Sequence, residues 1–260
     1  EDSFVRASAP DAMPFATYKR VNGTVGLITL DDGRSNAFGH QMLHEAYECL
    51  LEAEKDLLEC AGALVLVGNS KVLSSGFDLQ TMMQGPDCAK NLVNAGAALM
   101  ERLVLFPRPL VIGATGHAIA LGAFALLTGD YRIGAATVGG KPLKVGLNET
   151  ANGMNMPNFF CEAARHALAP QYLREAVALG LIFDAERAQV IGFLDEAVPQ
   201  DKVVEAAVTK AAELAKWCKH PAFHNNKRLV HAPLAERVAR GRKEQADGEG
   251  MTWLNPPAKL

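Results

Sequence analysis

Hydrophobic and polar positions along the chain predict alternating strands and helices. Residues 18–20 and 25–30 alternate in polarity around Asn22-Gly23, a dipeptide typical of tight hairpin turns. Apolar residues then recur every three or four positions between Met42 and Ala53, as they do on the buried face of a helix. The continuous apolar run 63–67 is typical of a fully buried strand.

The remaining pattern predicts further strands and helices in the same order. Residues 91–105 have helical spacing that Pro107 and Pro109 end, and Asn36 is expected to cap the first helix. Strands are predicted at 110–114, 130–134 and 192–198, and short helices at 172–179 and 185–190. This order favours an α/β core with right-handed crossovers, over residues 13–200, followed by a helical region over 201–260.

Composition narrows the functional class. The chain has 260 residues and a net charge of -3, which argues against general nucleic-acid binding. Its longest apolar run, residues 118–127, is too short to span a bilayer. Five scattered cysteines favour a reducing environment, so we expect a soluble intracellular protein.

Residues 1–12 have no signal-peptide pattern and are expected to be a processed tail, with Met13 as a plausible natural start. The expected compartment is the cytoplasm, or the peroxisomal matrix because Ala258-Lys259-Leu260 resembles a peroxisomal address.

Two glycine-containing turns carry the candidate chemistry. Leu73-Ser74-Ser75-Gly76-Phe77-Asp78-Leu79 follows the strand at 63–67, and Gly116-His117-Ala118-Ile119-Ala120-Leu121-Gly122 follows the strand at 110–114. Two such turns can direct two backbone N–H groups at one point. That arrangement stabilises negative charge on a thioester oxygen and is known as an oxyanion hole.

Other familiar motifs are absent from the sequence or incomplete. There is no G-x-G-x-x-G after a strand and no G-x-S-x-G, while Gly139-Gly140-Lys141 lacks the rest of a P-loop. His40 and His44 have the spacing of a metal pair, but no third ligand is evident. His117 could enter a pocket, although a structural role is the simpler interpretation. No metal site and no resident cofactor are therefore expected.

The two turns, together with Gly146-Leu147-Asn148-Glu149-Thr150, Gly153 and Pro157, resemble the crotonase superfamily of enoyl-CoA hydratases and isomerases. The resemblance covers residues 25–198. It implies a ββα spiral core that binds acyl-CoA, with C-terminal helices that build a homotrimer or a dimer of trimers.

The resemblance also implies roles for individual residues. Phe77 and Leu121 would supply the oxyanion N–H groups, although Ala120 and Leu121 stand where the family usually has glycines. Glu149 occupies the position of an active carboxylate. Apolar neighbours in sequence such as Leu147 and Met154 would raise its pKa, which suits a general base. The predicted CoA contacts are Ser35, Ser74, Ser75 and Gly76, and the predicted acyl-pocket residues are Met82, Met83, Gly122, Phe124 and Met154, each with core packing as its alternative.

Phe124 favours one reaction within the superfamily. Enoyl-CoA hydratases carry a second Glu at this position, and no acidic residue occurs between Gly116 and Gly129. A single base is enough to move a double bond, so the predicted function is conversion of 3-enoyl-CoA to 2-enoyl-CoA in fatty-acid β-oxidation. The alternatives are hydration, hydrolysis or decarboxylation of an acyl-CoA, or binding without catalysis. Basic residues in the C-terminal part of the chain, such as Lys227 and Arg242, are expected either to lie on solvated helix faces or to contact the phosphates of CoA.

Overall fold

The computed structural model describes residues 13–246. The expected processed tail at 1–12 and the Ala258-Lys259-Leu260 end both lie outside the described residues. Within the described part, strands and helices alternate through most of the chain and the last elements are helical, which confirms the predicted mixed α/β class.

A six-stranded sheet forms the centre of the molecule. Its strands are β1 (Ala16–Asn22), β2 (Val25–Leu30), β3 (Ala63–Val67), β5 (Leu110–Ala114), β7 (Tyr131–Ala135) and β12 (Glu196–Val198), in the spatial order β1-β2-β3-β5-β7-β12. The β1–β2 pair is the predicted antiparallel hairpin, and every later pair is parallel. Parallel strands need covered faces, and β3 and β5 are accordingly buried along their full length.

The strands of a second, smaller sheet occur between strands of the first along the sequence. It consists of β4 (Val72–Ser74), β6 (His117–Ile119), β10 (Val145–Gly146) and β11 (Ile182–Phe183), in the order β11-β10-β6-β4. The β4–β6 and β6–β10 pairs are parallel, whereas β11 is antiparallel to β10. A two-stranded hairpin, β8 (Thr137–Val138) with β9 (Lys141–Pro142), completes the strands. Strands of two or three residues are too short to show a periodic pattern, so the sequence did not predict this sheet.

The helices cover both sheets. They are α1 (His40–Cys60), α2 (Leu79–Met82), α3 (Pro86–Val104), α4 (Leu121–Leu127), α5 (Asn158–Ala167), α6 (Ala185–Ile191), α7 (Val203–Ala215) and α8 (Ala222–Ala246). Short 3₁₀ turns lie at Thr150–Asn152, Pro170–Tyr172, Gln200–Lys202 and Lys216–Lys219, and a π-helical turn lies at Arg174–Ala178.

Three sequence-based expectations about these elements were wrong. Helix α3 begins at Pro86 rather than residue 91, because proline is favoured at the first helical position. Only the last three residues of the predicted strand 192–198 form a strand. Gly192 ends α6 with a φ of 105°, and Phe193 is fully buried outside any strand. Asn36 does not cap α1, whose N-cap is Gly39.

The C-terminal helices pack directly on the core. Val203 and Ala207 of α7 lie over Gly113 in β5, where an added Cβ would be 3.2 and 3.6 Å from their side chains. Helix α8 packs against α3 and α5. Lys227 of α8 is 7% exposed, and its ammonium lies 2.6 Å from Asp130. The proposed domain boundary near residue 200 falls in the turn Gln200–Lys202 and stays a prediction.

Candidate active site

The candidate catalytic residues lie at one edge of the small sheet. Strands β4, β6 and β10 are parallel neighbours, with Ser74 paired to Ala118 and Gly146 paired to Ile119. The chain leaves their carboxyl ends at three different points in the sequence: Ser75-Gly76-Phe77, Ala120-Leu121 and Leu147-Asn148-Glu149. Because parallel strands end at the same edge, the two predicted N–H donors and the predicted base all follow strands that end on this side of the sheet.

The two glycine-containing turns are in contact. Gly76 has a φ of 102°, a conformation that other residues rarely adopt. A Cβ added to it would lie 2.8 Å from the Cβ of Ala120 and 3.5 Å from the backbone nitrogen of Leu121. Ala120 itself has a φ of 50°. Both turns therefore adopt unusual backbone conformations at the point where they meet, which is typical of functional sites.

The backbone around Phe77 is fixed by a parallel bridge to Phe38. Phe38 N–H donates to the carbonyl of Gly76 at 2.8 Å, and Asp78 N–H donates to the carbonyl of Phe38 at 3.2 Å. Hydrogen-bonding groups alternate sides along an extended chain, so the N–H of Phe77 is directed away from Phe38. The N–H of Leu121 belongs to the first turn of α4, where amide hydrogens have no acceptor within the helix.

A buried polar network holds the first turn in place. The Ser74 hydroxyl donates to the carbonyl of Asn36 at 2.6 Å and accepts from Gly76 N–H at 3.1 Å. Asn36 is fully buried and donates to the carbonyls of Leu30 and Leu73. Ser74 is equally buried, so its hydroxyl supports the turn and is not presented to a ligand. This is a correction to its predicted role as a CoA contact.

Of the other predicted CoA contacts, Gly76 is buried within the turn, whereas Ser75 of the turn and Ser35 of the loop after β2 reach the surface. Ser75 is exposed, Ser35 is half-buried, and Ser75 N–H donates to the carbonyl of Ser35 at 3.0 Å. This contact joins the loop after β2 to the loop after β4. Their role in binding CoA stays a prediction.

Glu149 lies immediately before the 3₁₀ turn Thr150–Asn152, and its carbonyl accepts from Asn152 and Met154 N–H groups. Its carboxylate oxygen Oε2 is buried, and no donor for it occurs among the described residues. Burial raises the pKa of Glu149 from 4.5 to about 7, and a hydrogen bond from its own backbone lowers it by less. The expected rise of this pKa is confirmed, and a carboxyl with a pKa near neutrality can both take and return a proton at physiological pH.

The predicted acyl-pocket residues divide into three groups. Phe124 is 1% exposed and belongs to an aromatic cluster, while Gly122 lets α4 approach the carbonyl of Ser74 more closely than any side chain would permit. Met82 and Met154 are half-buried. Met83 is 85% exposed, so solvent surrounds most of its side chain, and the structure does not place it in a closed pocket.

Two residues that the sequence did not single out support the N–H donors. Gly96 of α3 faces both turns: a Cβ there would lie 2.6 Å from the Phe77 ring and 3.0 Å from Leu121 Cδ2. Phe160 of α5 stacks on Phe124, with centroids 4.6 Å apart, and meets Phe77 edge-on at 6.3 Å. Neither position differs in pattern from ordinary helix packing, so only the folded structure identifies them.

His117 lies at the opposite end of strand β6 from the candidate site. It begins β6, whereas the candidate site follows the end of that strand, and its Nδ1 accepts from Lys144 N–H at 3.1 Å. Burial and the nearby Lys144 lower the pKa of His117. The structural interpretation of this histidine is therefore the correct one.

Neither a cluster of metal-ligating side chains nor a membrane-spanning helix occurs in residues 13–246. No group of three or more His, Cys, Asp or Glu side chains in this range is arranged to hold a metal ion. No helix in the same range combines the length and apolar character required to cross a bilayer.

Comparison with known proteins identifies the family. Residues 20–249 match the family model "Enoyl-CoA hydratase/isomerase". A probable enoyl-CoA hydratase of Mycobacterium avium is 26% identical over 219 residues, which cover 82% of each chain. A Mycobacterium tuberculosis structure described as an enoyl-CoA isomerase is 31% identical, with a TM-score of 0.82 over 90% of this chain and 98% of that one. A second structure of that same protein, described as a probable enoyl-CoA hydratase, has a TM-score of 0.84 at 31% identity over 92% and 97% of the two chains. The chain described here belongs to the enoyl-CoA hydratase/isomerase family.

Proposed function

We propose that this protein converts 3-enoyl-CoA to the conjugated 2-enoyl-CoA. The observation that carries the proposal is Glu149, a buried carboxyl with a pKa near 7, at the same sheet edge as two backbone N–H groups. One base and an oxyanion hole are sufficient for a 1,3-shift of a proton. The acyl-CoA is the substrate, and the reaction needs no further cofactor.

The proposed steps use one base and one oxyanion hole. The thioester oxygen accepts hydrogen bonds from Phe77 and Leu121 N–H, and the N-terminal end of α4 adds a favourable dipole. Glu149 removes the proton from the α carbon, and the electron pair passes into the thioester to form a dienolate. The neutral Glu149 acid then delivers the same proton to the γ carbon, the 3,4 double bond becomes 2,3, and Glu149 is a carboxylate again.

The surroundings of Phe124 support isomerisation over hydration. Hydratases of this family add water with the help of a second carboxylate at that position, and here the ring of Phe160 stacks on Phe124 instead. Asp78 is the acid nearest in sequence to the first turn. Its carboxylate accepts from Gln80 N–H and from the Thr81 hydroxyl, so it caps α2.

Hydration is the second candidate function. It is favoured by the names of relatives such as the Mycobacterium avium protein, a probable enoyl-CoA hydratase. The Mycobacterium tuberculosis protein carries both descriptions, so relatives at this identity do not decide between the reactions.

The deciding assay follows the absorbance of the conjugated enoyl thioester with 3-hexenoyl-CoA and, separately, with 2-hexenoyl-CoA. We expect absorbance to rise with the first substrate and to change little with the second. Rapid loss of absorbance with 2-hexenoyl-CoA would establish hydration and overturn the proposal. No change with either thioester would exclude both reactions for this acyl chain.

The pH dependence of kcat/KM provides an independent test of the base. Only the ionised form of Glu149 can remove a proton, and its pKa in the folded protein is about 7. We therefore expect kcat/KM to rise with pH and to level off above about 7, with one ionisation on the acidic side. A profile that stays flat down to pH 5 would contradict the assignment of Glu149 as the base.

A further inference from the structure

We propose that the stacked pair of Phe124 and Phe160 closes the acyl pocket and limits the length of chain that the protein binds. The inference rests on the proposed function for its substrate class, an acyl thioester of CoA. It adds a specificity-determining role for Phe160, which the sequence did not indicate.

The pair lies close to the two residues that carry the N–H donors. Phe124 lies three residues after Leu121 on α4, about one helical turn along the axis. Phe160 touches the ring of Phe77 edge-on, with an interplanar angle of 61°. An acyl chain whose thioester carbonyl binds at Phe77 and Leu121 therefore has these two rings nearby as it extends inward.

The rings leave no opening between them. Phe124 and Phe160 are 1% and 4% exposed, and their planes are inclined by only 24° at a centroid separation of 4.6 Å. Phe159 also packs on Phe160, with ring centroids 4.5 Å apart. A stacked pair at this distance is in van der Waals contact, so a methylene chain cannot pass between the rings.

A small apolar groove, with a volume of about 20 Å³, lies against the pair. We call it the α3–α8 groove. Phe124 and Phe160 form one wall of it, and its other apolar lining residues include Met100, Val104, Ala163, Leu234 and Val238. These side chains come from α3, α5 and α8, which pack together at this point. Removing the Phe160 ring would add the volume of that ring to the groove, join both to the acyl pocket and give further methylenes an apolar surface.

The expected effect is a change in how affinity depends on chain length. Each methylene that leaves water for an apolar surface strengthens binding about fourfold. In the wild-type protein this gain stops where the chain meets the pair. In Phe160→Ala it continues into the groove.

The test measures the Kd of saturated acyl-CoA thioesters from hexanoyl to dodecanoyl by calorimetry, which does not depend on catalysis. We expect wild-type affinity to stop rising within this series, and Phe160→Ala to bind dodecanoyl-CoA at least tenfold more tightly than wild type does. Val238→Trp in the Phe160→Ala background refills the groove and should restore the wild-type series. Phe159→Ala is the matched control. It removes an equal ring from the same helix but keeps the pair, so it should not extend the series.

Two results would overturn the inference. One is a wild-type affinity that rises steadily to dodecanoyl-CoA, and the other is a Phe160→Ala series identical to that of wild type. If Phe160→Ala does not fold, Phe160→Val gives the same test with a smaller cavity. Absence of turnover with 3-hexenoyl-CoA, with the binding series as expected, would reject the isomerase reaction and leave the length limit standing.

Discussion

Replacing Glu149 with Gln should lower kcat for 3-hexenoyl-CoA by about 10²–10⁴-fold, the usual effect of losing a general base. Gln has the same shape as Glu but cannot accept or deliver the proton. Because Oε2 of Glu149 has no donor among the described residues, the amide replaces an oxygen that makes no protein hydrogen bond. KM should change little, since the carboxyl acts on the reacting carbons. A variant with full kcat would refute the mechanism.

The same substitution should stabilise the folded protein at alkaline pH. The pKa of Glu149 rises from 4.5 to about 7 on folding, so the folded state binds this proton more tightly than the unfolded state. The wild-type free energy of unfolding therefore falls as pH rises from about 4.5 through 7, by about 3 kcal/mol in all. Gln does not titrate. Urea unfolding at pH 5 and pH 8 should show the stabilising effect of Glu149→Gln only at the higher pH.

Gly76→Ala should lower kcat/KM by about 10²–10³-fold, which is the loss expected when an oxyanion-hole donor is displaced. The new Cβ would lie 2.8 Å from Ala120 Cβ, and a φ of 102° is unfavourable for alanine. The chain must shift at the point where the two turns meet, which moves the N–H of Phe77 relative to that of Leu121. The measurement is steady-state kinetics, with circular dichroism to establish that the variant is folded.

Gly140→Ala separates backbone strain from displacement of the turn. Gly140 also has a positive φ, 77°, but nothing lies within 4 Å of an added Cβ. Its alanine variant should lose some stability and keep wild-type kcat/KM. Equal kinetic losses in both variants would mean that strain alone explains the effect of Gly76→Ala.

The parts of the site with a chemical signature could be predicted from the sequence. Gly76 follows a recognisable buried strand, so local pattern indicated that turn, and the apolar neighbours of Glu149 in sequence indicated that its pKa would rise. The resemblance to a family supplied the roles of Glu149 and Leu121; the neighbours of Leu121, Ala120 and Phe124, carry no signal of their own. Strand β3 and helix α1 were equally clear because their periodicity extends over enough residues.

The parts that depend on long-range packing could not be predicted. Gly96 and Phe160 look like ordinary helix residues until α3 and α5 are placed against the turns. Asparagine is common at helix caps, but the amide of Asn36 donates to Leu73 in β4, 37 positions later, as well as to Leu30 in β2, six positions earlier. Ser74 has the same limitation, since its hydroxyl is occupied by a partner 38 positions earlier.

The buried contact between Lys227 and Asp130 has a consequence for synthesis on the ribosome. The two residues are 97 positions apart, and Asp130 also accepts from Leu110 N–H at the start of β5. A buried charge without its partner costs about 3–5 kcal/mol. At about 5–20 residues per second, translation needs roughly 5–20 s to proceed from Asp130 to Lys227. By the end of that interval every strand of the central sheet has been synthesised, but the cation that neutralises Asp130 has not, so the last step in assembling the core awaits the emergence of α8.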